Sequence, residues 1–254
     1  MSLLRASSAL LWLSFRRLLW SGSTLMVLLP LSACVLFLLR RRFWLEQSNV
    51  ESFNGFSQFL MTVFASFVVP ICAVAYGTAS IGGDREDRTL LFLLVRPVPR
   101  PLVFLAKFVA TLPLVLGLVM GAFYVYCHLA GAIGRLAYEL YLPSIFYMTI
   151  AYVCLFHFFA VSFRHSTIIA LIYSLFMELI LGNMPGIVKR VAINYYGRSM
   201  MYAAGVPEGL ERPDPQWFEP ISAASAAGAL AAIALGSLLV ALVVFQRREY
   251  TDLT

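Results

Sequence analysis

Six stretches of this chain are apolar over about the length a helix needs to cross a bilayer, and they constrain it more than anything else does. They are Ser21–Leu39, Phe59–Ile81, Pro101–Cys127, Leu142–Ser162, Ser166–Leu181 and Ile221–Phe245. A spanning helix needs about 20 such residues at roughly 1.5 Å rise each. The fifth stretch is short, and the third and sixth are long enough to tilt or protrude. Backbone groups in hydrocarbon must be satisfied within a helix or a closed barrel. The remaining segments offer no strands to close a barrel, so the spans are read as helices. Hydrophobic residues make up 61% of the 254 and charged residues 13%, with mean hydropathy +0.82. A soluble chain could not bury that much apolar surface and still cover itself. The fold class expected is all-α integral membrane.

Six spans place both termini on one side. With the termini cytoplasmic, 11 of the 19 basic residues lie inside and 8 outside, which favours that orientation, although Arg40-Arg41-Arg42 then sits outside. Residues 1–20 read as an amphipathic helix on the inner leaflet: Leu4, Leu11, Phe15 and Leu18 share one face, Arg5 and Arg16 another, and Trp12 and Trp20 suit headgroups. Leu31-Ser32-Ala33-Cys34 resembles a lipoprotein cleavage box, but the apolar run continues through Val35–Leu39, so Cys34 is read as an ordinary helix residue. Cys72, Cys127 and Cys154 lie in apolar segments without paired spacing and read as buried hydrophobes. Cys127-His128 is too small a set for a metal, none of which is expected, and His157 among phenylalanines is read as packing. The net charge of +6 is scattered along membrane edges. It points to the lipid bilayer as a partner and not to nucleic acid.

The segment between the second and third stretches, Gly82–Arg100, is unusually specified. It holds seven charges, Asp84, Arg85, Glu86, Asp87, Arg88, Arg96 and Arg100, together with an apolar patch. Gly82-Gly83 are expected to turn the chain out of the membrane helix. Asp84 would cap a new helix, favoured at its start by Glu86 and Asp87. Leu90, Leu91 and Leu94 would form its apolar face. Pro97 and Pro99 would stop it, and Pro101 suits the first turn of the next helix. The expected product is an amphipathic helix of about 12 residues, roughly 18 Å long, across the inner mouth.

These residues carry a resemblance. Arg85-Glu86-Asp87-Arg88-Thr89-Leu90, Leu93-Leu94, Arg96-Pro97-Val98-Pro99-Arg100 and the downstream Lys107 look like the coupling segment of ABC-2 type permeases, the membrane subunits of a class of ATP-binding-cassette exporters. One departure is Arg88, where glycine is frequent. The resemblance implies a second permease subunit, homo- or heteromeric, and a separate ATPase subunit that carries ATP and Mg. It also implies the bacterial inner membrane as location. Asp84, Arg85, Glu86, Asp87, Arg88, Thr89, Leu90, Leu94, Arg96, Pro97 and Arg100 would then contact or position the ATPase, with Arg164 and His165 in a second cytoplasmic loop. The whole chain, 1–254, is expected to be one permease domain. It comprises an interfacial helix (1–20), spans one and two (21–81), the coupling segment (82–100), spans three to five (101–181), an outer loop (182–220), the sixth span (221–245) and a cytoplasmic tail (246–254).

Other features fit inside that frame. Gly117 and Gly121 form a GxxxG pattern, and Gly228 and Gly236 belong to a small-residue stripe in the sixth span. They are expected to pack helices, within the subunit or against a second one. Pro70 and Pro113 are candidate hinges or static bends. Glu178 is an acid well inside a span, which is costly; Lys189 or Arg190 are its expected partners. Val188, Val191, Ala192 and Tyr195 recur at helical spacing, so short helices are expected in the outer loop, with Lys189, Arg190 and Asn194 on other faces. The chain carries no G-x-x-x-x-G-K-[ST], G-x-S-x-G or H-E-x-x-H, so it is read as a non-catalytic subunit. The competing readings are an ATPase-docked anchor that moves no cargo, and an intramembrane enzyme, for which no catalytic set is visible.

Overall fold

The computed structural model describes residues 12–18, 24, 27–29, 31–32, 36, 53–86, 99–184 and 186–247. Its regular elements are all helical among the described residues. Residues 12–18 form α1. Then come α2 (Phe53–Gly83), α3 (Arg100–Leu129), α4 (Gly131–Ser162) and α5 (Ser166–Glu178), α6 (Ile193–Gly205) and α7 (Ala223–Arg247). Helices α2, α3, α4 and α7 are long and apolar enough to cross a membrane.

Two of these helices begin earlier than the hydropathy pattern placed them. Helix α2 starts at Phe53 instead of Phe59, and α4 at Gly131 instead of Leu142. The reason in α4 is a tight turn: Gly131 has φ +71°, a left-handed conformation that glycine adopts without steric cost. The chain therefore doubles back at once into helix, and Arg135 and Glu139 are exposed on its first turns and not in a loop. Charged residues there dilute the hydropathy without breaking the helix.

Helix α4 is the centre of the packing, touching α2, α3, α6 and α7. Its Tyr141, Tyr152 and Phe156 are fully buried, as is Tyr76 of α2. Helix α7 lies against it through Ala226, Leu230 and Ala234, all buried. Small side chains there permit the close approach expected of spanning helices. The stripe read from the sequence lies on another face: Gly228 and Gly236 are exposed, and among the described residues a Cβ added to either would meet nothing within 4 Å. The same holds for Gly117 and Gly121. Gly117 and Gly121 line a cavity whose other wall includes Leu28, Leu29, Leu31 and Ser32 of the first stretch.

Most of the first expected span, Cys34 included, lies outside the described residues. Of the part described, Val27 is buried, Tyr126 Oη donates to the Leu31 carbonyl at 2.8 Å, and Tyr76 Oη donates to Thr24 Oγ1 at 3.3 Å.

The fifth stretch departs most from expectation. Helix α5 rises only about 20 Å, short of a hydrocarbon core of about 30 Å. Its direction is continued by α6. Thr167 of α5 pairs with Thr78 of α2 at 3.0 Å, Asn194 of α6 with Ser66 at 2.8 Å, and Tyr202 with Gln58 at 3.3 Å. The partners climb steadily back along α2, so α5 and α6 both run antiparallel to it, end after end. Between them come two short helical turns, Leu181–Asn183 and Val188–Val191. Ala192, expected within an outer helix, is instead extended and precedes its first turn. Helix α6 is not a surface element: Ile193, Asn194, Tyr195, Gly197, Ser199, Met201, Tyr202 and Gly205 are buried.

Pro70 falls in the first turn of regular α-helix after a wide-turn π segment, Leu60–Val68. The ring's missing N–H is thereby absorbed where the register changes. Helix α3 runs through Pro113 as one element.

Candidate functional site

The end of α2 is built unlike the sequence reading. Gly82 and Gly83 do not turn the chain: Ala79–Gly83 is a π segment that passes into Asp84–Glu86 as continuing helix. What Gly82 provides is closeness, since a Cβ there would lie 2.5 Å from Ser166 Oγ. Gly83 faces open space.

Asp84 caps nothing. Its side chain is buried, and its two oxygens take Arg17 of α1 and Lys107 of α3. Lys107, also buried, donates in addition to the Ser80 carbonyl at 2.7 Å. Ser80 Oγ pairs with His157 Nε2 of α4 at 3.0 Å, and His157 Nδ1 lies 3.0 Å from the Val153 carbonyl. The edges of Phe104 and Phe108 enclose that imidazole. His157 is thus packed, as expected, and also hydrogen-bonded on both nitrogens. A buried charge persists only when paired and hydrogen-bonded, and here one carboxylate serves two cations on two other helices.

Arg85 is the next link. It too is buried, and Nη1 donates to the Phe163 carbonyl at 3.0 Å. That bond pins the turn Phe163-Arg164-His165, which is exposed and leads into α5. Arg100, at the start of α3, donates to the Gln246 carbonyl of α7 at 3.4 Å. Asp84 and Arg85, expected to contact or position the ATPase, bond to this subunit's own helices and turns. Asp87, Arg88, Thr89, Leu90, Leu94, Arg96 and Pro97 lie outside the described residues. So does the rest of the expected amphipathic helix, 87–98.

A second buried carboxylate stands where α5 meets α6. Glu178, fully buried, lies in a π segment, Ser174–Ile180. It does not pair with Lys189 or Arg190. Its oxygens accept the backbone N–H of Ile193 at 3.1 Å and of Asn194 at 2.9 Å, the first amides of α6, and Tyr152 and Tyr173 face it. A carboxylate at the end of its own helix opposes that helix's dipole, and the positive N-terminus of α6 offsets this.

Lys189 is buried rather than solvated. Nζ donates to the Trp217 carbonyl at 3.1 Å and stands over the rings of Tyr195 and Phe218 at 5.9 and 5.4 Å. Arg198 covers Phe218 at 4.8 Å. These contacts fasten the 209–220 loop to α6. Among the described residues no three His, Cys, Asp or Glu side chains gather as a metal site.

The sequence model of the family described as ABC-2 family transporter protein matches residues 9–250. The chain belongs to that family. No curated protein matches it. It is the permease component of an ABC transporter, a multi-pass membrane subunit of a kind that is generally non-catalytic and works with an ABC ATPase. Within this permease, the described residues that carried the resemblance differ in exposure. Asp84, Arg85 and Lys107 are buried in the bundle, while Arg100 is exposed at the start of α3.

Proposed function

We propose that this permease couples ATP hydrolysis on a separate ATPase subunit, which binds ATP and Mg, to export of a substrate across the bacterial cytoplasmic membrane. Two permease subunits work as a pair, with residues 1–254 of each forming one domain of six spans. The first span is Ser21–Leu39, and α5 and α6 jointly supply the fifth. Both termini, the Asp84 end of the bundle and the Arg164-His165 turn face the cytoplasm. The segment 82–100 docks on the ATPase, with Glu86 and Asp87 in contact and Leu90 and Leu94 held against the helix ends.

The observation that supports this reading best is the Asp84 junction. Input arriving on a coupling segment is useful only if the segment's root is rigidly tied to several spans, and Asp84 and Arg85 tie α1, α3 and the start of α5 to the end of α2. A helix merely resting on lipid would not require two buried charged residues at its root.

The test is affinity purification of the tagged permease from native membranes, followed by mass spectrometry and ATP turnover in nanodiscs. An ABC ATPase should co-purify in near-equal amount and hydrolyse ATP in the complex. Recovery of the permease without an ATPase contradicts the proposal.

A further inference from the structure

The two buried carboxylates are connected through α5. Its start is held at the coupling end by Arg85 on the Phe163 carbonyl at 3.0 Å, by Thr78 on Thr167 at 3.0 Å, and by the contact of Gly82 with Ser166. Its other end carries Glu178, which holds the first amides of α6. Between the helices the chain makes a detour through 181–192, whose Met184, Ile187, Val188 and Val191 are exposed. Lys189 and Ala192 of the same stretch are buried. The carboxylate is the direct connection from α5 to α6.

We propose that Glu178 is a positioning residue of the transport cycle. It makes α6 follow α5, so that displacement of the coupling segment reaches the far end of the bundle through a helix in two pieces. The proposal rests on the ATPase-coupled reading above. Three features favour a transmitting joint over a merely stabilising cap. The carboxylate spans two elements instead of capping its own. It sits in a π segment, a local widening common at functional positions. And α6 is further tied by Asn194 to Ser66 in the other long π segment, in α2, so α5 and α2 are both joined to α6 by polar bonds at one level.

The experiment is hydrogen exchange of the permease–ATPase complex in nanodiscs, read on peptides covering 193–205, with ADP and with ATP plus vanadate. Glu178→Gln keeps the side chain's shape and a neutral acceptor, and Glu178→Ala removes the joint. Wild type should show a nucleotide-dependent change in α6 exchange of about fivefold or more, the low end of ordinary allosteric coupling. In Glu178→Ala the 193–194 amides should exchange about tenfold faster, as loss of charge-assisted bonds requires. The nucleotide-dependent difference should vanish while ATPase binding and hydrolysis continue. Glu178→Gln should retain folding and part of the difference. A purely structural cap predicts faster exchange in Glu178→Ala with the nucleotide-dependent difference intact, and that result overturns the proposal. So does a wild-type complex that hydrolyses ATP without any change in α6. Failure of the ATPase to bind wild type would instead remove the underlying functional reading.

Discussion

Lys107, two turns into α3, closes on the carboxylate of Asp84 at the end of α2. One buried ion pair therefore joins α3 to the end of α2 across the sequence that includes the expected ATPase-contacting residues after Asp84. Arg17 approaches the same carboxylate from the more exposed side, so α1 is held by it as well.

Removing one partner of a buried pair leaves the other charge uncompensated, which costs about 3–5 kcal/mol. Asp84→Ala or Lys107→Met should each lower thermal stability in nanodiscs by that order. Asp84→Leu combined with Lys107→Met should recover much of the loss, because a buried pair can be replaced by apolar side chains. Arg17→Ala, at a side chain 40% exposed, should cost about 1 kcal/mol or less. Equal losses for the single and the double variant would show that the pair is not what holds the junction.

The neighbouring glycines should behave oppositely. Gly83→Ala adds a methyl in open space within a helix, and should be neutral or stabilising by about 0.5–1 kcal/mol. Gly82→Ala forces Ser166 aside and should destabilise by roughly 1 kcal/mol, with Gly82→Leu costing more. Melting curves of the three variants decide it. If both alanine variants lose stability alike, the glycines act as a hinge pair and not as one contact.

The membrane class and the long helices were legible because about 20 apolar residues in a row leave few alternatives. The importance of 82–100 was legible from the density of charge and proline between two such runs. Which charges face inward was not. Asp84 and Arg85 read as the start of a solvated helix, because nothing local reveals that Lys107 and Phe163 return to meet them. Glu178 was recognised as costly, but its partners are backbone amides, which carry no residue-type signal. Lysines near it in sequence were the natural guess, and Lys189 in fact prefers the Trp217 carbonyl and two aromatic rings. For the glycine stripes, spacing gives a face without saying which neighbour it meets.

Lys189→Met should loosen the 209–220 loop while sparing the long helices. A buried hydrogen bond and two cation–π contacts are lost, about 1–3 kcal/mol together. Hydrogen exchange should rise in peptides covering 209–220 and remain unchanged in α4. Uniform exposure of both would mean that Lys189 supports the whole fold.

Orientation is testable with exposed positions. In a background lacking the native cysteines, Arg164→Cys and Glu211→Cys both lie on accessible surface. An impermeant maleimide applied to the periplasmic side should label Glu211→Cys, and Arg164→Cys should react only after permeabilisation of the inner membrane. The reverse pattern would place the Asp84 junction outside, away from any ATPase.

The most direct measurement is ATPase capture and ATP turnover by permeases altered within the coupling segment. Glu86→Lys with Asp87→Lys would set like charges against a docking surface, where such juxtaposition costs several kcal/mol. Capture should then fall about tenfold or more, with normal membrane insertion. Leu90→Asp should retain partial capture and lose the dependence of ATP turnover on the permease. Capture and turnover equal to wild type in both variants would contradict an ATPase-coupling role for the segment and leave it a helix resting on lipid.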